Sequence, residues 1–560
     1  MLTEILHQNV KLQLMKKIIL IFSLLIVQFG FSQELQKVEK LTSLCKVWGF
    51  LKYYHPDVAK GDFNWDEQLL NILPKIQNCA TKEELSQIYI NWIISLGEIK
   101  TCRSCNETSK KEYFNNNFDL TWSQNNNIFT KELRDKIKFI ETNRFQGTNY
   151  YVKESIVENI DVTNEIEYKN FEFPDEENRL LSIFKFWNIV EYFYPYKYLT
   201  TQKWDAVLTE MIPKFQFANN KQEYHLAMLE LSIKIDDTHS DLITDETYNY
   251  FGKKWIPADF KIIDNKVILT SIINDSLAKQ NDLRIGDIVE KVNDKKISQI
   301  ITENLKYVSG SNYNTKLRNF NYVIFNGSTD SVSVTIKRDA NVFTKNIGRY
   351  FYKKLNRNKK IEDKYKIIGQ NIGYVNMGII EASDISKMFK EFKNKKAIIF
   401  DIRNYPKGTY HAISKYLNDS SKVFVKIIRP DLSYPGKFYW REGFKCGGNN
   451  KDNYKGKVIL IVNEQTQSHG EYTAMCLQTA NNVTTIGSQT AGADGSTTPI
   501  EFVGGYKLKL TGLGIFYPDN TETQRKGIKI DIEIKPTIKG IQEGKDEVLE
   551  KAIELIETGK

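Results

Sequence analysis

The chain has 560 residues, enough for three or four domains at roughly 100–200 residues each. Hydrophobic residues at 41% and charged residues at 26% describe a folded chain, not a disordered one. Six histidines, six cysteines and a net charge of +9 with no arginine-rich stripe argue against a disulfide-dense scaffold, a His/Cys metal array and a nucleic-acid binder.

In chain order, the first signal is a leader. Residues 15–32 read MKKIILIFSLLIVQFGFS, with Lys16 and Lys17 as a basic start and an apolar run from Ile18 to Phe29. Gly30 and Ser32 place small residues at the −3 and −1 positions before Gln33. This pattern predicts a signal peptide over residues 1–32, with Met15 as its initiator, and hence export to the periplasm. No later stretch reaches 18 apolar residues, so no membrane span is expected after the leader. Cys102 and Cys105 form a Cys-x-x-Cys pair with no second pair to complete a zinc site. A local disulfide and two free thiols both remain open.

Two segments then match at a constant offset of 139 residues: LTSLCKVWGFLKYYHPD from Leu41 and LLSIFKFWNIVEYFYPY from Leu180. Trp48, Tyr53, Trp65 and Pro74 correspond to Trp187, Tyr192, Trp204 and Pro213. Shared rare residues at one offset indicate duplication, and the apolar spacing predicts helices. The expected units are 33–114 and 171–255, joined by a polar connecting segment over 115–170. Only the second copy ends in a histidine, His239, within IDDTHSDL.

Residues 256–345 change to a strand pattern. The run Leu283-Arg284-Ile285-Gly286-Asp287-Ile288, followed by an Asn293-Asp294 turn, resembles a PDZ domain. That resemblance implies capture of extended peptide ends by strand addition, with Leu283, Ile285 and Gly286 as peptide-binding candidates.

From 355 to 560, strands alternate with helices, which predicts an α/β core. Ser468 falls where the strand Val458–Val462 passes into a helix, a position that exposes a hydroxyl to the positive end of the helix. With Glu471 three residues on, the same serine also reads as a helix-capping box. Further motifs share the segment. They are Asp401-Ile402-Arg403 after a strand, Gly487-Ser488-Gln489-Thr490-Ala491-Gly492, a Gly-Ile stretch from Gly527 to Thr537, and Gly544-Lys545-Asp546.

Together these motifs resemble the C-terminal processing (tail-specific) and tricorn-core serine peptidases, over about residues 175–560. The resemblance implies a Clp protease/crotonase-like ββα spiral as the α/β core, joined to the PDZ-like β domain and the duplicated helical units. It also implies Ser468 as nucleophile. The tail-specific branch takes its base from a lysine after the second loop, where this chain has Ala493 and Asp494. The tricorn-core branch takes a histidine preceded by a hydroxyl residue, here Thr238-His239, so His239 is the expected base. Imidazole titrates in the range where a serine needs activation. His469 adjoins the serine, but successive residues on a turn or helix do not face one another.

For the orienting group the resemblance points to Gln524, with Glu522 nearby. For the oxyanion it points to the His469 amide and to Lys407 or Gly408, since Pro406 has no N–H. Thr238 is the supporting hydroxyl. The expected protein is an exported serine endopeptidase acting on unfolded polypeptides, with no metal or cofactor. The alternative is a catalytically silent peptide-binding protein of the same fold.

Overall fold

In the computed structural model, which describes residues 35–106, 111–356 and 362–559, the chain opens with helices α1 (Lys37–Tyr54), α2 (Trp65–Asn78) and α3 (Lys82–Ser95). The expected leader lies outside the described residues. The second copy supplies α4 (Glu176–Phe193), α5 (Trp204–Gln216) and α6 (Lys221–Ile233). Side chains that accept from the first turn start these helices: Asn64 for α2, Thr81 for α3, Asp175 for α4 and Asn220 for α6.

Each copy holds its helices with the same clasp. Trp48 Nε1 donates to Trp65 O while Trp65 Nε1 donates to Trp48 O, at 3.0 and 3.1 Å. Trp187 and Trp204 repeat this at 3.0 and 3.1 Å. The indoles stack in both copies, so each buried N–H is satisfied without losing apolar contact.

The copies pack through matching positions. Tyr53 meets Tyr192 with ring centroids 5.3 Å apart. Gly49 faces Asn188, its own counterpart, so closely that a Cβ on Gly49 would sit 1.8 Å from Asn188 Oδ1. Such self-matching contacts define a local two-fold relation between the copies. A buried ionic cluster ties them: Lys185 Nζ reaches Asp66 at 2.7 Å and Glu165 at 2.9 Å, and Lys52 also pairs with Glu165. Cys102 and Cys105 are joined in a disulfide.

His55 lies fully buried beside this interface, and among the described residues neither ring nitrogen has a hydrogen-bond partner. Burial chiefly lowers its pKa, to about 4. A histidine held neutral in the fold but ionisable when unfolded gives stability that is complete above the unfolded value, about 6.5. That stability is lost as pH falls towards 4. Thermal melts should therefore lose stability between pH 6.5 and 4, by on the order of 2–3 kcal/mol from this residue. His55→Phe should flatten that slope, and an unchanged slope would contradict the reading.

A β domain follows. Strands β1 (Ala258–Ile263), β2 (Lys266–Ile272), β3 (Ile288–Val292), β4 (Ser331–Arg338) and β5 (Asn341–Gly348) pair antiparallel in the order β5-β4-β3-β2-β1. Helix α7 (Tyr313–Asn319) lies near β1. β1 is a sheet edge.

The C-terminal domain is built around a six-stranded sheet of β6 (Tyr365–Ile368), β7 (Ile372–Asn376), β8 (Ala397–Asp401), β9 (Lys457–Val462), β10 (Val483–Gly487) and, after a hairpin, β13 (Ile532–Glu533). The order is β6-β7-β8-β9-β10-β13, parallel except for β6. Both faces are covered, which is why β8 and β9 read as continuous apolar runs. Ile398, Phe400 and Leu460 join the core that holds helix α8 (His469–Leu477). Ile399, Ile459 and Ile461 join Val548, Leu555 and Ile556 of helix α9 (Glu547–Thr558). The hairpin of β11 (Thr497–Phe502) and β12 (Tyr506–Thr511) leaves this domain and packs Phe502, Leu508 and Leu510 into the helical core. Among the described residues no helix is long and apolar enough to cross a membrane.

Candidate active site

Ser468 ends the turn between β9 and α8 with φ 53° and ψ −118°. A non-glycine residue in such a conformation is strained and is held by its surroundings. Glu471 is the anchor. Its buried carboxylate accepts from Ser468 N at 3.2 Å, Gly492 N at 2.7 Å, Ala493 N at 2.9 Å and Thr490 Oγ1 at 2.5 Å. The Ser-x-x-Glu and Gly-x-x-Thr-x-Gly motifs are therefore two halves of one hydrogen-bonded unit. Ser468 N also donates to Ala493 O at 2.9 Å. Gly492 is required here, with φ 64° and a notional Cβ 2.8 Å from the Arg525 backbone.

Asp494 sits next to this unit. Burial first, and the Glu471 charge second, hold its carboxyl well above the usual range. Among the described residues Asp494 accepts only from Gly495 N, and its Oδ2 has no partner. Glu471 is also raised by burial, but its four donors favour its charged form, which Asp494 with one donor lacks.

The helical copy delivers His239 to the same region. His239 Nδ1 lies 2.9 Å from Thr511 Oγ1 and 3.4 Å from Asp237 Oδ1. Asp237 also accepts from His239 N at 3.1 Å and from Thr511 N at 2.7 Å. Burial pushes the Asp237 carboxyl up, but the bond and charge of His239, helped by these amides, bring it below its ordinary value. Thr511 packs on Gly495, whose notional Cβ would lie 3.2 Å from Thr511 Cγ2, in the loop that also binds the Ser468 amide. His239 and Ser468 thus flank one loop. No hydrogen bond joins their side chains among the described residues. With Nδ1 engaged by Asp237 and Thr511, Nε2 is the nitrogen left to act as base.

Several expected roles change. Asp237, not Gln524 or Glu522, sits against the imidazole. Glu522 accepts from Tyr198 Oη and Lys526 Nζ, and Gln524 Nε2 points to Tyr194 Oη at 3.5 Å. Both lie behind Tyr194 and Tyr198 instead of at His239. Thr238 is no oxyanion support: its hydroxyl is 2.9 Å from Ser311 Oγ and accepts from Ser311 N at 2.8 Å, clasping the His239 loop to the β domain. The Lys407 amide donates to Met377 O at 3.2 Å, so it is not free for an oxyanion. Gly408, with φ 76°, remains. A Cβ there would lie 3.7 Å from His469 Nε2, which places it beside the first turn of α8. The His469 imidazole packs against Tyr405 and Tyr410, and its amide, next to Ser468, is the second candidate oxyanion donor.

The peptide-binding candidates also move. Leu283 is buried in the β-domain core, and Ile285 is exposed. Gly286 accepts the Gln542 side chain at its carbonyl, and a Cβ there would meet Gln542 Cγ at 2.9 Å. That stretch faces the C-terminal segment, not a groove. The Asp-x-Arg and Gly-Lys-Asp motifs are one structural knot: Arg403 bridges Asp401 at 2.6 Å and Asp546 at 2.7 Å, fixing the start of α9.

A strained serine at a strand-to-helix turn, a histidine backed by a buried aspartate and free amides nearby are the parts of a serine hydrolase. Residues 371–534 match the profile of Peptidase family S41. Its curated relatives include a "Probable CtpA-like serine protease" of Staphylococcus haemolyticus (strain JCSC1435), 25% identical over 312 residues, covering 54% of this chain and 58% of that protein. The protein of the same description from Staphylococcus aureus (strain N315) is 26% identical over 318 residues, with the same coverage. The chain thus spans somewhat over half the length of these relatives. Among solved structures, mature CPAF complexed with lactacystin matches 68% of this chain and 99% of its own, at TM-score 0.54 and 12% identity. That likeness concerns the fold alone.

Proposed function

We propose that the protein is an exported serine endopeptidase that cleaves extended polypeptides through an acyl-enzyme. Ser468 Oγ attacks the scissile carbonyl while His239 Nε2 takes its proton. Asp237 orients the imidazole and stabilises the imidazolium. The His469 and Gly408 amides receive the oxyanion, His239 returns the proton to the leaving amine, and water then releases the acyl group by the same relay. The observation that carries this reading is the buried Asp237–His239 contact beside the loop that holds Ser468.

The PDZ resemblance of the β domain supports a substrate-presenting role. A groove of about 1310 Å³ runs along the free edge of β1, past Lys261 and Ile262, beneath Tyr313 and Leu317 of α7, to Gln467 beside the nucleophile. A free strand edge accepts an extended peptide through main-chain hydrogen bonds. The β domain also grips the catalytic loops: Asn312 donates to Thr490 O and Ala491 O, and Lys261 pairs with Glu464 at 2.6 Å.

The rival reading, a non-hydrolysing peptide binder, is favoured by the missing Ser468–His239 hydrogen bond. Hydrolysis of an unfolded protein by residues 33–560 decides between them. Ser468→Ala and His239→Ala should each lower turnover by at least ~10³-fold. Equal turnover by all three proteins, or none by the parent, rejects the peptidase reading.

A further inference from the structure

A second cavity, of about 390 Å³, opens beside the candidate active site. Thr238 and Asp241 flank His239 in sequence, Gln467 immediately precedes Ser468, and all three line this cavity. Trp255, Arg318 and Gln467 line both it and the long groove, so the two spaces adjoin. The remaining walls are largely apolar and aromatic, from Leu242, Phe251 and Tyr322.

One carboxylate interrupts these walls. Asp241 is exposed to solvent by its surface area, yet the protein crowded around its carboxyl group raises that group's pKa. It makes no side-chain hydrogen bond or ion pair among the described residues. Burial, with the Asp241 charge second, raises the phenol of Tyr322 across the cavity. The other charge on the wall is Arg318, and it is committed elsewhere. Its Nη1 donates to Glu464 O at 2.7 Å, Nη2 to Gln467 Oε1 at 2.9 Å and Nε to Asn319 Oδ1 at 2.9 Å.

We propose that this cavity receives the side chain of the residue that donates the scissile carbonyl, and that Asp241 selects lysine or arginine there. The proposal rests on the peptidase reading above for the position of the cut bond. With the cavity empty the Asp241 carboxylate keeps its water, and a purely apolar side chain seated against Leu242 and Phe251 would strip that water without offering it a partner. A long aliphatic stem with a cationic head fits both features: the stem packs on Leu242 and Phe251, and the head pairs with Asp241. Aromatic walls add cation–π attraction.

Two measurements test this. The first maps cleavage sites in an unfolded protein and compares fluorogenic peptides with arginine or norleucine at the cut position. Basic residues should dominate, and Asp241→Asn should reduce the arginine-to-norleucine ratio of kcat/KM by at least 10-fold. Cleavage after apolar residues with no basic enrichment overturns the proposal. The second uses no turnover: benzamidine binding to Ser468→Ala by calorimetry, against the Ser468→Ala/Asp241→Asn double variant. At least 10-fold weaker binding by the double variant is expected, and equal affinities overturn the proposal. Asp241-dependent benzamidine binding in a protein that hydrolyses nothing would refute the peptidase reading while leaving the cation site standing.

Discussion

Asp237→Asn should lower kcat by ~10³–10⁴-fold with little change in KM. The carboxylate contacts no substrate in the proposed scheme; it acts through His239. Asparagine keeps the volume but loses the charge that stabilises the imidazolium. It also brings an NH₂ group towards the Thr511 and His239 amides, which now donate to the carboxylate. The decisive readout is additivity. If the two residues work as a unit, adding Asp237→Asn to His239→Ala should cost almost nothing further. Independent, multiplicative losses would mean that Asp237 merely supports the fold. Retained activity in Asp237→Asn, with loss in Gln524→Ala, would restore the orienter expected from the sequence.

The second large effect is expected at Glu471. Glu471→Ala leaves Ser468 N, Gly492 N, Ala493 N and the Thr490 hydroxyl without this acceptor. At about 1–3 kcal/mol for each buried polar group left unsatisfied, the loss is several kcal/mol, part of it offset by Ser468 N keeping Ala493 O. The strained Ser468 backbone depends on the same bonds, so hydrolysis should fall by at least ~10²-fold as well. Glu471→Gln retains one acceptor oxygen and should fall between the parent and Glu471→Ala in both melting temperature and turnover. A stable, fully active Glu471→Ala protein would show that the turn is held by other contacts.

Much of the candidate site was legible because its parts are local or ordered along the chain. Ser468 and Glu471 share one turn, and the Gly487–Gly492 loop that completes their unit follows within one helix and strand. His239 is legible through the family resemblance, in which a hydroxyl residue, here Thr238, precedes the base, while Ala493 stands at the position of the other branch's lysine. Asp237 carries no such signal in the sequence, although it lies only two residues from His239. Asp236 has φ 51°, and this left-handed residue bends the chain ahead of Asp237, whose carboxylate meets both the amide and the ring of His239. A one-dimensional pattern does not carry that reversal. Gln524 lies away from the imidazole for a related reason. Arg525, with φ 64°, turns its amide to Gly492 O, while Gln524 is buried against Tyr194.

By itself the sequence determined the duplicated helices, the alternating strands and helices of the C-terminal domain, and the serine turn. Each of these rests on periodicity, residue type and short spacing. Only the tertiary structure decided which carboxylate faces the histidine, which loop amide is free for an oxyanion, and that the free sheet edge is β1, not the Leu283–Gly286 stretch. Those outcomes depend on pairings between residues hundreds of positions apart, such as His239 with Thr511 and Gly286 with Gln542. Packing of the whole chain, not local propensity, sets which of those pairings form.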